Sequence, residues 1–239
     1  MVRADIEYLR TINLSELPLG IRMVKGSLLH CLSDLASRNG LDENILKAES
    51  EVDCYGGFDE GYPKGSITRS EGRLLFALIR TLGLSRVLEI GTLHGCSTNH
   101  LAAAVGPPVG GSVVSIDNKS DFSKVGSWIV DKVRDQVKLV EGDLFDVLPS
   151  LEKGSFDLIF EDSAHLEETT KFCIEEGRRL LAPGGWLMVH DTLCTTHVKG
   201  VRCRDRVLKG IALAGMRKKF VHYVIDDSTY GMGICRTSC

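Results

Sequence analysis

The chain has 239 residues, 43% hydrophobic and 26% charged, with a formal net charge of −3. That is enough for one domain with a substantial core and too little for two full ones; the weak acidic balance removes the electrostatic case for a nucleic acid or an anionic membrane, and no apolar run is long enough to span a bilayer. Eight cysteines are scattered without a Cys-x-x-Cys pair, and no apolar stretch follows Met1, so free thiols in a reducing, cytoplasmic setting are expected, with no zinc site of the usual spacing.

In chain order, Met23, Val24, Leu28, Leu29, Leu32 and Leu35 recur at helical spacing and predict a helix over Ile21–Ser37. A short helix is expected over Asp42–Ala48, followed by a glycine- and aromatic-rich loop from Cys54 to Gly65. Residues 1–65 therefore read as a helical lid or dimer arm, with a homodimer as the expected assembly, and 66–239 as the main domain. Ser70–Leu82 is predicted helical, with Thr68 as N-cap and Glu71 at the capping-box position. Strands are predicted at Arg86–Ile90, Ser112–Ile116, Val137–Glu141, Phe156–Glu161, Trp186–His190, Phe220–Ile225 and Gly231–Arg236. Helices are predicted at Ser97–Ala104, Phe122–Val133, Glu167–Leu181 and Gly200–Ala214, with a short turn at Asp146–Leu151.

Apolar runs such as Leu158-Ile159-Phe160 and Leu187-Met188-Val189 suit a sheet covered on both faces. The repeated strand–helix units predict an α/β fold: a doubly wound, mostly parallel seven-stranded sheet in a Rossmann-like three-layer sandwich. Asp226–Tyr230 reads as a hairpin turn that makes the last strand antiparallel.

Glu89-Ile90-Gly91-Thr92-Leu93-His94-Gly95 places a glycine turn between a buried strand and a helix. There the backbone can approach a ligand closely and helix amides can face it. Its Glu-x-Gly-x-x-x-Gly spacing fits neither the dinucleotide fingerprint nor a phosphate-binding loop. Ligands of such sheets sit outside the carboxyl ends of the strands. Asp117 ends the next strand, where a carboxylate can accept both hydroxyls of a ribose, and Glu141-Gly142-Asp143-Leu144 closes the third, where an acid near an adenine can accept from its amino group. Any one of these acids could be a mere helix cap; their succession at three strand ends favours a nucleoside site.

Together with Ile67–Gly72, Val114–Asp117, Val140–Asp143, Phe156–Asp162 and Leu181–Trp186, this motif resembles the class I S-adenosylmethionine (SAM) methyltransferases. The similarity runs from Gly65 to Arg236 and is to the catechol and caffeoyl-CoA O-methyltransferase type and related small-molecule enzymes. The resemblance implies Glu89 and Gly91 near the methionine part of SAM, Ser97 at its carboxylate, Asp117 on the ribose and Asp143 near the adenine. Ile67, Thr92, Gly95, Asn118, Gly142, Leu144 and Asp162 complete the implied cofactor site. It also implies methyl transfer to a hydroxyl of a small molecule, with a divalent cation held by Asp162, His190 and Asp191. Where the family has an acid, this chain has His190, a poor magnesium ligand better suited to manganese, iron or zinc. A neutral His190 that only hydrogen-bonds substrate or Asp191 is the competing reading. Asp162 and His165 occupy the family's catalytic positions, His165 that of the general base, against the alternative of a capping histidine. Trp128 reads as packing or as an adenine neighbour, His94 as a cofactor or solvent contact, and His197 as a residue of the substrate mouth. Transfer to nitrogen, transfer without metal, and a SAM-binding module without catalysis are the rival functions; residues 1–64 name no substrate.

Overall fold

The computed structural model describes residues 22–41, 63, 65–198, 200–226 and 230–237. The first element is a strand, β1 (Arg22–Gly26), and helix α1 (Leu28–Asn39) follows it. The helix expected from Ile21 therefore begins seven residues late. Ser27 caps it, its side chain accepting from the His30 N–H, and the residues before the cap are extended and pair in parallel with Val221–Ile225. The helix expected at Asp42–Ala48 lies outside the described residues.

Next come α2 (Arg69–Leu82), β2 (Arg86–Ile90), α3 (Cys96–Val105), β3 (Ser112–Asp117), α4 (Asp131–Arg134), β4 (Val137–Glu141) and α5 (Leu144–Ser150). They are followed by β5 (Phe156–Glu161), α6 (Glu167–Leu180), β6 (Leu181–Val189), the small pair β7 (His197–Val198) and β8 (Val201–Arg202), α7 (Cys203–Leu213), β9 (Val221–Ile225) and β10 (Met232–Arg236). The Thr68–Glu71 capping box at the start of α2 is present as expected.

Two other expectations are corrected. The helix placed over Phe122–Val133 is a 3₁₀ turn at Phe122–Lys124 and the single turn α4. Between them Gly126 takes φ +65°, and the N–H groups of Gly126 and Trp128 donate to the carbonyls of Leu93 and His94. The segment is tied to the glycine turn and so cannot close its own helical ladder. The turn at Asp146–Leu151 is the helix α5, capped by Asp143.

The main sheet has eight strands, not seven, in the order β1-β9-β10-β6-β5-β2-β3-β4; β1 supplies the extra one. β10 runs antiparallel to both neighbours and the other pairings are parallel. Alternation along the strands splits the core into two layers, as a pleated sheet covered on both faces demands. Leu158, Phe160, Trp186 and Met188 face α1, α2 and α3, while Ile159, Leu187 and Val189 face α6 and α7. This three-layer sandwich aligns the carboxyl ends of β2 to β6 along one edge. Backbone bonds stitch that edge together: Gly91 N–H to Ile116 O, Gly142 N–H to Asp117 O, Asp162 N–H to Ile90 O and His190 N–H to Glu161 O. Among the described residues no helix is long and apolar enough to cross a membrane.

Candidate active site

A cleft of about 300 Å³ opens along that edge. Its base is the glycine turn after β2. Gly91 has φ +100°, and a Cβ there would lie 2.2 Å from the carbonyl oxygen of Asp162, so only glycine lets the two strand ends meet. The turn also hands its amides to Asp117, whose Oδ2 accepts from Leu93 N–H at 2.8 Å while Oδ1 accepts from Lys119 N–H at 2.8 Å. Both oxygens keep a further lone pair for a ligand. Along the wall, Asn118 Nδ2 donates to Asp143 Oδ2 at 3.1 Å, and Asp143 Oδ1 caps α5 by accepting from Phe145 N–H at 2.9 Å. Asp143 is thus both the cap and a residue of the cleft.

Ile67, Gly91, Thr92, Ser97, Asp117, Asn118, Gly142, Asp143, Leu144, Asp162 and His165 all line this cleft. Glu89 and Gly95 do not. Glu89 is fully buried behind the wall, where Ser97 donates to Oε1 at 2.5 Å, and Thr98 and Ser115 donate to Oε2 at 2.5 Å each. Burial pushes its carboxyl up to about 7 against those three hydroxyls. Glu89 braces the turn, then, and Ser97 spends its hydroxyl on that brace. Gly95 is the N-cap of α3, with Ile129 packed against it. Trp128 is 40% exposed and off the wall; the aromatic side chain next to Asp143 is Phe145, which lines the cleft. His94 lines it too, whereas His197 is exposed on β7 and away from it.

At the other end the strand tips of β5 and β6 gather charged groups. His165 Nε2 lies 3.1 Å from Asp191 Oδ2 and 4.0 Å from Asp162 Oδ1. Both His165 (φ +53°) and Asp191 (φ +58°) sit in the left-handed region, a strain that non-glycine residues carry where surrounding structure imposes it, often at functional sites. His165 is no helix cap; that position is Leu166. Both ring nitrogens of His190 face carboxylates: Nδ1 meets Asp162 Oδ1 at 3.0 Å and Nε2 meets Glu71 Oε2 at 3.2 Å. Burial alone would depress its pKa, but the two carboxylates outweigh that and hold the ring well above its ordinary value. Burial likewise pushes Asp162 up, yet His190 and His165 keep it below the usual carboxylate range. Asp191 is raised, mainly by burial.

Three buried polar atoms here have no hydrogen-bond partner: His165 Nδ1, Asp191 Oδ1 and Glu161 Oε2. Buried polar atoms are nearly always satisfied, so these three have capacity left for a water or a ligand. Glu71, Glu161 and Ser115 were not among the expected site residues. Glu71 announced itself only as a helix cap, Glu161 ends the β5 run next to Asp162, and Ser115 shows only as a polar residue inside an apolar strand.

A methyltransferase domain family matches residues 88–192. The chain is 33% identical to catechol O-methyltransferase of Mycobacterium tuberculosis over 55% of its own length, and spans 59% of that relative. It is 27% identical to catechol O-methyltransferase of Niastella koreensis over 70% of this chain and 73% of that one. The crystal structure of the O-methyltransferase TomG from Streptomyces achromogenes, in complex with SAM, superposes with a TM-score of 0.60 at 22% identity, covering 87% of this chain and 96% of TomG. With the sheet order, the glycine-turn cleft and the acids at successive strand ends, these similarities support a class I SAM-dependent methyltransferase, similar to the type that includes the catechol O-methyltransferases.

Proposed function

We propose that this protein transfers the methyl group of SAM to a hydroxyl oxygen of a small molecule, with His165, oriented by Asp191, taking up the hydroxyl proton. One observation carries the reading: the cleft of the glycine turn ends at the His165–Asp191 contact of 3.1 Å. Asp117 would hold the ribose, Asp143 and Phe145 the adenine end, and the turn after Gly91 the methionine end. The oxygen–carbon bond forms as the carbon–sulfur bond breaks, and the electron pair of the latter neutralises the sulfonium. The hydroxyl proton passes to the His165–Asp191 pair, leaving an ether and S-adenosylhomocysteine. Such a displacement gains most from alignment, and a base positioned at the hydroxyl adds to it.

The cation set implied by resemblance, Asp162, His190 and Asp191, does not fit. Both nitrogens of His190 are engaged by carboxylates. The donor atoms of Asp162, His165 and Asp191 do converge within 4.8 Å, but using His165 as a ligand would remove the base. No step is therefore assigned to a metal. The reading is tested by calorimetry with S-adenosylhomocysteine and by transfer of labelled methyl from SAM to a panel of catechol-type diols. Binding, with turnover lost in His165→Ala, is expected. Absence of binding, or turnover in His165→Ala equal to the parent's, would overturn it.

A further inference from the structure

We propose that His190 is a buried imidazolium clamped between Glu71 and Asp162, that it supplies the positive charge the resemblance assigns to a divalent cation, and that the site works without a metal ion. The inference rests on the methyl-transfer reading and names how that site balances its charge.

The geometry argues it in three steps. First, a ring whose two nitrogens each face a carboxylate oxygen, at 3.0 and 3.2 Å, needs a hydrogen on both, and a doubly protonated imidazole has no lone pair for a metal. Its surroundings pin it there: the side chains of His190 and Glu71 are 4% and 0% exposed, and the rings of Tyr230 and Phe160 flank it at 5.6 and 6.2 Å. Releasing it to act as a ligand would strip a charged partner from a fully buried Glu71, which is among the costliest changes a protein interior can suffer.

Second, the imidazolium nitrogen lies 3.0 Å from Asp162 and 3.6 Å from Asp191. A dication bound to those same two carboxylates would sit within a few ångströms of an existing buried cation, and like charges that close repel strongly at low dielectric. Third, the carboxylates around the ring are each engaged by a side chain of the protein. Asp162 carries a direct bond to His190, and Asp191 a contact with His165. Glu71 is served by Thr68 as well, whose N–H and hydroxyl donate to the same Oε2 at 2.8 and 3.0 Å. The residue read from sequence as a helix cap is thereby the anchor of the charge at the site.

The test has three readouts. The ring nitrogens of His190 in the full-length protein, followed by ¹⁵N NMR near neutral pH, are expected at imidazolium shifts; a neutral-ring spectrum would overturn the proposal. Elemental analysis and calorimetric titration with magnesium, manganese and zinc chlorides are expected to show no stoichiometric binding at this site, and turnover after exhaustive chelation should stay within about twofold. A stoichiometric ion whose removal abolishes turnover would overturn it. His190→Asp, which replaces the cation by an acid, is expected to lose turnover and regain it only with added magnesium or manganese; turnover that stays metal-free in this variant would count against His190 as the source of charge. Should that variant not fold, the spectrum and the metal titrations of the parent still decide. Failure of S-adenosylhomocysteine binding would strike the functional reading alone, since the NMR and metal titrations do not depend on it.

Discussion

Glu89 lies at the heart of the glycine turn, and replacing it by Gln tests how the turn is held. Its carboxyl is fully buried, and burial lifts its pKa from an ordinary 4.5 to about 7 despite bonds from Ser115, Ser97 and Thr98. The folded state therefore retains a proton that the unfolded chain sheds between these values. In that window the native state binds more protons than the unfolded one, so stability falls as pH rises. The gap corresponds to about 3 kcal/mol, at roughly 1.4 kcal/mol per pH unit. Gln keeps the shape and cannot ionise, and the hydroxyls of Thr98 and Ser115 can rotate to accept from its amide. Urea unfolding of the apoprotein and of Glu89→Gln at pH 4.5 and pH 8 is the assay. The parent should lose about 3 kcal/mol relative to the variant between those two conditions. His100 and His222, pushed down by burial to about 3 and about 4, titrate with the opposite sign, but they are common to both proteins and cancel. Parallel pH profiles would refute the account of Glu89 as a carboxyl held against its ionisation.

Gly91→Ala would drive a Cβ to 2.2 Å from the Asp162 carbonyl oxygen at a φ of +100°; urea unfolding should show a loss of about 3 kcal/mol or more, with weakened S-adenosylhomocysteine binding in calorimetry. Asp117→Asn turns one acceptor of the Leu93 and Lys119 amides into a donor, and calorimetry should record affinity for S-adenosylhomocysteine lower by about 10-fold or more. Gly72→Ala would place a Cβ 2.3 Å from the His100 ring where α2 meets α3, and denaturant unfolding should report a loss of about 2 kcal/mol.

How much of this was legible beforehand divides by the range of the interaction concerned. β2, β4 and β5 lie where alternation and apolar runs put them, because their signals are local and the sheet only confirms them. The Thr68–Glu71 box is local too, spanning four residues. The N-terminal misreading shows the limit. Met23 and Val24 fit a helical stripe with Leu28 and Leu32, and periodicity over so few residues cannot separate a short strand plus a capped helix from one longer helix. What makes Arg22–Gly26 extended is its pairing with Val221–Ile225, a partner nearly the whole chain away. The same holds for Phe122–Val133, which forgoes helix for bonds to the carbonyls of Leu93 and His94.

The site divides in the same way. The positions on the cleft wall follow from strand ends, which any doubly wound sheet brings to one edge, so Asp117, Asp143, Asp162 and His165 could be placed from sequence alone. The role of each is set by which group stands opposite, and that is long-range. Glu89 looks like a ligand contact until Ser97, Thr98 and Ser115 close around it. The sequence places His190 at a strand end, but not Glu71, 119 residues earlier, against its second nitrogen. An acid at that position would have added a third carboxylate beside Asp162 and Asp191; a histidine instead sets one ring nitrogen against each of two buried acids. The pairing of His190 with Glu71 is therefore a single feature: the capping box that sets Glu71 at the start of α2 also sets a second carboxylate against the His190 ring.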